Sequence, residues 1–169
     1  MNGVFNPEEV LQIACTIERN GSLFYREAAR QVKNEQVRDM LLELAQMEDD
    51  HEVTFENMRA DPDVLAEVLG DDDGTVVSYL GAIADGYVFP VDAKPASFVT
   101  PDMSVEEVLR KAISLERDSI VFYQGLRELM PQKQGRQKVD DIIHQEMGHI
   151  ATLSEALSLM NKSLMKKQE

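Results

Sequence analysis

The chain has 169 residues, 43% of them hydrophobic and 28% charged, with one cysteine and no tryptophan; that suits one folded domain spanning 1–169 with a core of its own. Its net charge of −14 argues against non-specific nucleic-acid binding, which needs clustered Lys and Arg. Cys15 alone cannot form an internal disulfide, no run of about 18 apolar residues exists to span a bilayer, and Met1-Asn2-Gly3-Val4-Phe5 lacks the regions of a signal peptide. A cytoplasmic protein with no nucleic-acid or membrane partner is the expectation.

Asn6-Pro7-Glu8-Glu9 opens a first helix: Asn caps free amides, Pro suits the first turn, and the acids complement the dipole. Leu11, Cys15, Glu18, Ser22, Tyr25 and Ala29 then recur at alternating steps of four and three, the inward stripe of a bundle helix. Gly21 sits inside this helix at a cost of about 1 kcal/mol, which a close neighbour or a local bend would justify. Asn34-Glu35 restarts the chain after a short turn, so the second helix should lie antiparallel to the first. Its stripe is Val37, Leu41, Leu44, Glu48, His51, Phe55 and Met58.

Residues 61–103 break the periodicity. Asp61-Pro62-Asp63 can start a short helix reaching Leu69, Gly70 to Gly74 reads as a turn, and the apolar stretch Thr75 to Phe89 reads as another helix. Pro90, Pro95 and Pro101 keep the remainder irregular. Asp71-Asp72-Asp73 is not a calcium loop, whose acids alternate around a glycine. A link this long is a crossover rather than a hairpin turn.

Ser104-Val105-Glu106-Glu107 is a capping box that opens a third long helix, with stripe Val105, Leu109, Ala112, Glu116, Ser119, Tyr123, Leu126 and Met130. Pro131 stops it. After a polar loop from Gln132 to Gln137 comes a fourth, with stripe Val139, Ile142, Glu146, His149, Leu153, Ala156 and Met160. The tail from Lys162 should fray, Lys166 and Lys167 complementing the helix C-terminus. The halves repeat at a constant offset of 98 residues: Glu18 and Glu116, Tyr25 and Tyr123, Glu48 and Glu146, His51 and His149. The predicted fold is therefore all-α: a four-helix bundle of two helical hairpins, joined by a crossover with short helices and related by a pseudo-twofold.

Six polar residues occupy the inward stripes: Glu18, Glu48, His51, Glu116, Glu146 and His149. Glu48-Asp49-Asp50-His51 and Glu146-Met147-Gly148-His149 each set a carboxylate and an imidazole one turn apart on one face. Burying an unpaired carboxylate costs several kcal/mol, and four together also repel. A domain stable by about 5–15 kcal/mol cannot carry that uncompensated. Two divalent cations balance four carboxylates while both imidazoles stay neutral, so the six are candidate metal ligands. Mixed oxygen and nitrogen donors suit Fe or Mn better than tetrahedral Zn. The competing reading, protonated glutamates or pairing with Arg19 or Arg117, would have to work four times over. His144 falls off the ligand face and is expected at the surface; Cys15 is expected as a small apolar filler. The methionines are expected as adaptable core packing. Tyr25 and Tyr123 follow Glu18 and Glu116 by seven residues, the same face about 10.5 Å along, as core aromatics or as hydroxyls bonded to a ligand carboxylate.

With these residues placed, the chain resembles the rubrerythrin branch of the ferritin-like superfamily. The resemblance is carried by Ile17 to Tyr25 with Ala28-Ala29, Met47 to His51, Leu115-Glu116 through Phe122-Tyr123, and Glu146 to His149. It covers the four long helices and not the crossover. It implies a non-haem di-iron centre in which Glu48 and Glu146 bridge the metals, Glu18 with His51 and Glu116 with His149 completing the ends. The implied activity is oxidoreductase: reduction of hydrogen peroxide or dioxygen, a peroxidase with candidate catalytic residues Glu48, Glu146, Tyr25 and Tyr123. The alternative is a ferroxidase, or an iron storage or carrier protein. The resemblance also implies a homodimer, with Thr75–Phe89 as a candidate contact. Two departures stand out. Ser119 occupies the position of a seventh carboxylate in rubrerythrin, and the four-cysteine rubredoxin module is missing, so an external electron-donor protein would be needed.

Overall fold

The computed structural model of the protein describes residues 6–67, 74–86, 99–130 and 135–165. Four long helices dominate: α1 (Pro7–Gln31), α2 (Glu35–Arg59), α5 (Val105–Leu129) and α6 (Gly135–Met165), with the shorter α3 (Pro62–Glu67) and α4 (Thr75–Gly86) between the second and third of them. No strand occurs among the described residues. No helix among them is long and apolar enough to cross a membrane.

Local chemistry sets the helix starts. Asn6 Oδ1 accepts the Glu9 N–H at 2.9 Å, and the Glu9 carboxylate accepts the Asn6 N–H at 2.8 Å. This is a reciprocal box, one bond more than the asparagine cap read from the sequence. Asn34 caps α2 by accepting from Val37 at 3.0 Å, and Ser104 with Glu107 closes the box predicted for α5. Each such cap contributes about 1 kcal/mol.

The short turn after α1 folds α2 back along it, and α6 folds back along α5; α1 then meets α5, and α2 meets α6. The inward stripes of α1 and α2 are buried along their whole length, and those of α5 and α6 are buried through their middle. The crossover docks at both ends, α3 against α2 and α4 against α5. The second contact depends on Gly125, since a Cβ there would stand 2.7 Å from Tyr79 and 2.9 Å from Leu80. Tyr79 also donates to the Val121 carbonyl at 3.0 Å.

Two boundaries differ from expectation. Helix α6 begins at Gly135, inside the stretch read as loop, because Gly135 is buried against Met130 and Met58. It also runs on to Met165, where fraying was expected from Lys162, since Leu157 and Met160 still pack on the core. Helices α3 and α4 are described to Glu67 and Gly86. The expectations for 68–73, including the three consecutive aspartates, for 87–98 with Pro90 and Pro95, and for Lys166 and Lys167 fall outside the described residues.

Candidate metal centre

Glu18 from α1, Glu48 and His51 from α2, Glu116 from α5, and Glu146 and His149 from α6 meet midway along the bundle, each at most 4% exposed. One donor atom from each of Glu18, Glu48, His51 and Glu146 can be chosen so that all lie within 4.8 Å of one another, and the same holds for Glu48, Glu116, Glu146 and His149. The two quartets share Glu48 and Glu146. Glu18 with His51, and Glu116 with His149, stand at opposite ends. The two imidazole rings lie nearly parallel, 17° apart with centroids 5.6 Å apart.

The fit to cations can be judged from atoms that have nothing else to bind. Both oxygens of Glu18 and of Glu146, Glu48 Oε1, and Nδ1 of each histidine are buried without a hydrogen-bond partner. Burial of that kind costs several kcal/mol if nothing compensates. His51 Nδ1 stands 3.0 Å from Glu146 Oε1 and 3.5 Å from Glu18 Oε2. His149 Nδ1 stands 2.9, 3.2 and 3.4 Å from Glu146, Glu48 and Glu116. These atoms converge on common points rather than pairing off, which is what ligands of shared ions do. Arg19 does not neutralise them; it turns outward to Glu52 and Glu56. Arg117 is exposed. The six residues fit two divalent cations.

The electrostatics follow from crowding. Burial, then the charges of neighbouring carboxylates, push Glu48 and Glu116 well above the usual carboxylate range. Burial would raise Glu146 too, but Glu116 and both imidazoles hold it far below that range. Against the burial penalty, Glu146 and Glu18 push His51 up to about 11. Glu116 and Glu146 likewise push His149 up to about 9. With no ion to bind, protons on these groups would offset the same charge.

Around the ligands, the structure settles some expectations and corrects others. Tyr25 donates a short hydrogen bond to Glu116 on the other hairpin rather than to Glu18 on its own helix. Tyr123 Oη is buried with no hydrogen-bond partner. Burial first, and nearby carboxylates next, raise both phenols well above 10, so both stay protonated. Cys15 is a buried free thiol within the apolar core; His144 is exposed. Met47 is not core packing: it is 44% exposed, with Sδ 3.2 Å from His149 Nε2. Gln145, which sequence reasoning missed, places Oε1 3.0 Å from His51 Nε2. The available signal was positional, since each directly precedes a Glu-x-x-His pair. Gly21 is explained by a close neighbour: a Cβ there would lie 3.1 Å from Glu48 Oε2. A narrow cavity between α1 and α5, lined by Gly21, Phe24, Tyr25, Leu115 and Ser119, opens onto Glu48 and Glu116.

Residues 9–79 match the rubrerythrin family model. The match spans most of the first hairpin and ends in α4, while the second hairpin repeats the same ligand pattern. Among solved structures, a candidate ferritin-like diiron-carboxylate protein from Thermotoga maritima superposes with a TM-score of 0.72 at 25% identity, covering 94% of this chain and 98% of that one. A hypothetical protein from Pyrococcus furiosus superposes with a TM-score of 0.68 at 21% identity, covering 94% of this chain and 92% of that one, and supports the fold alone. No curated protein matches. Cys15 is the sole cysteine of the 169 residues, so they hold no four-cysteine rubredoxin site. By these likenesses the chain has the helical-bundle fold of a ferritin-like diiron-carboxylate protein, and its residues 9–79 are similar to rubrerythrin.

Proposed function

We propose that the chain is a non-haem di-iron oxidoreductase that reduces hydrogen peroxide, or dioxygen, with electrons from an external donor protein. The observation that carries this reading is the pair of buried quartets joined through Glu48 and Glu146, with Glu18, Glu48, Glu146 and both histidines holding buried donor atoms that have no hydrogen-bond partner. Four carboxylates and two imidazoles suit Fe or Mn, and the likeness to a ferritin-like diiron-carboxylate protein favours iron. Glu18 and His51 would hold one ion, Glu116 and His149 the other, with Glu48 and Glu146 shared. Two ferrous ions bound there would supply two electrons and Lewis acidity, enough for hydrogen peroxide, with two protons, to become two waters.

The chain's own part is positioning and exclusion. The cavity between α1 and α5 is narrow enough to favour a small oxidant, and Phe24 and Leu115 give it apolar walls. Tyr25, kept protonated by burial, holds Glu116 in place through its hydroxyl. Action in the cytoplasm accords with a free buried thiol. A homodimer could form over the side of α4 where Tyr79 is exposed.

The test is anaerobic loading with ferrous iron, metal analysis for two ions per chain, then stopped-flow addition of peroxide. Oxidation of two irons per peroxide, bleaching by a reductant and recovery on fresh peroxide are expected. A di-ferrous chain that survives excess peroxide unoxidised defeats the reading. The alternative, a ferroxidase or an iron store or carrier without peroxidase turnover, is favoured by Ser119. It stands 5% exposed in the cavity wall, where the rubrerythrin resemblance implies a further carboxylate. Under that reading oxidised iron leaves the pair, or accumulates beyond two per chain, instead of cycling in place.

A further inference from the structure

Two side chains outside the ligand set touch the histidines from behind. Gln145 Oε1 lies 3.0 Å from His51 Nε2, and Met47 Sδ lies 3.2 Å from His149 Nε2. Met47 and Gln145 are equivalent positions of the duplicated chain, 98 residues apart. Each reaches across the α2–α6 contact to the imidazole of the opposite hairpin. The ligands themselves are matched: each quartet has one end glutamate, one histidine and the two shared carboxylates. The outer partners are where the spheres part.

A histidine that offers Nδ1 to an ion carries its proton on Nε2. Both rings therefore donate outward, one to an amide oxygen and the other to a thioether sulfur. An amide carbonyl is a full acceptor, whereas thioether sulfur is a weak one. A stronger acceptor behind a ligating imidazole fixes the tautomer and raises the basicity of the nitrogen that binds metal. We propose that Gln145 and Met47 are positioning residues that make the two metal positions unequal, the one built on Glu18 and His51 binding its ion more tightly than the one built on Glu116 and His149. The inference rests on the two-ion reading above. It implies that the position backed by Gln145 fills first, and that the position backed by Met47 holds the more exchangeable ion. Outer partners of this kind change metal affinity by about 10–100-fold. Both side chains are solvent-facing, Met47 at 44% exposure, so exchanging them leaves the core intact.

The experiment titrates Zn²⁺, which is redox-inert, into the chelator-treated full chain. Calorimetry reads the steps, and nitrogen NMR of the labelled histidines reads their order. The His51 Nδ1 signal is expected to move in the first equivalent and that of His149 in the second, with dissociation constants about tenfold or more apart. M47Q should tighten the second step, Q145M should weaken the first, and the double exchange should reverse the order. M47L, which keeps the volume and removes the acceptor, should widen the gap and serves if M47Q does not fold. Two ions bound with order and spacing unchanged across the variants overturns the inference and leaves the two-ion reading standing, because the shared carboxylates alone would then set the steps. Simultaneous movement of both histidines in the wild-type chain overturns it as well. Fewer than two ions per wild-type chain overturns both.

Discussion

The two hairpins supply matched candidate ligands and different surroundings. Glu18, Glu48 and His51 on one side answer Glu116, Glu146 and His149 on the other, all buried. Beyond them the equivalent positions diverge. Met47 stands opposite Gln145, Gly21 opposite Ser119, a bonded Tyr25 opposite an unpaired Tyr123, and a partly exposed Glu27 opposite Gly125 under the crossover. The difference separates what charge demands from what it leaves free. Four buried carboxylates demand counter-charge, so losing any one of them changes a shared balance, whereas the groups touching them from outside can differ by a hydrogen bond without unfolding the bundle.

The widest break between shared and unshared ligands should come from deletion. Glu146→Ala removes a member of both quartets and should cost roughly 3–5 kcal/mol of metal-dependent stability, leaving less than one ion per chain. Glu18→Ala should spare the opposite end and retain about one. Metal analysis after dialysis reads both, and equal loss in the two variants would contradict the shared role of Glu146. Next is pH. The histidines rise in the fold to about 11 and about 9 from an ordinary value near 6.5. Their contribution is complete below that value and is lost as pH climbs through 9 and then 11. Glu48 and Glu116, also raised, act in the same direction, while Glu146, lowered, matters only in acid. The chelated chain should lose thermal stability between pH 6.5 and 10, and the chain loaded with two equivalents of Zn²⁺ should lose much less. A flat profile without metal would show that protons do not take the place of the ions.

The tyrosines sharpen the comparison by one hydroxyl each. Tyr25→Phe removes a hydrogen bond to a buried carboxyl and should cost about 1.5–3 kcal/mol by urea denaturation. Tyr123→Phe removes an unpaired buried hydroxyl and should be neutral or slightly stabilising. Smallest is the crossover: Gly125→Ala should cost about 1–3 kcal/mol by overpacking against Tyr79 and Leu80, and Glu27→Ala on the other hairpin about 0.5 kcal/mol or less. Equal shifts at positions 27 and 125 would mean that α4 is not docked as described.

The six clustered residues were legible because their signal is local. Three-residue spacing puts Glu48 beside His51 and Glu146 beside His149 on any α-helix, and the offset of 98 brought in Glu18 and Glu116. The starts of α1, α2 and α5 were legible for the same reason, since Asn6, Asn34 and Ser104 bond to amides within three residues; that of α6, at Gly135, was not. Tyr25 was placed on the right face but given no partner, because its acceptor, Glu116, comes from the other hairpin. Met47 was misread as core because methionine usually packs there; its place just before Glu48 marks it as near the site but does not say which imidazole it meets.

By itself, then, the sequence determined four amphipathic helices, the starts of three of them, their duplication and the six residues that must share counter-charge, all set by spacings within a helix or by one repeat. Tertiary structure alone decided that α1 meets α5 and α2 meets α6, that Tyr25 serves Glu116, that Gln145 and Met47 stand behind opposite imidazoles, and that α4 closes on α5 over Gly125. The side-chain contacts among them join residues from 45 to 102 positions apart. The helical period orients a side chain about its own axis, and only packing two helices together selects the partner it meets.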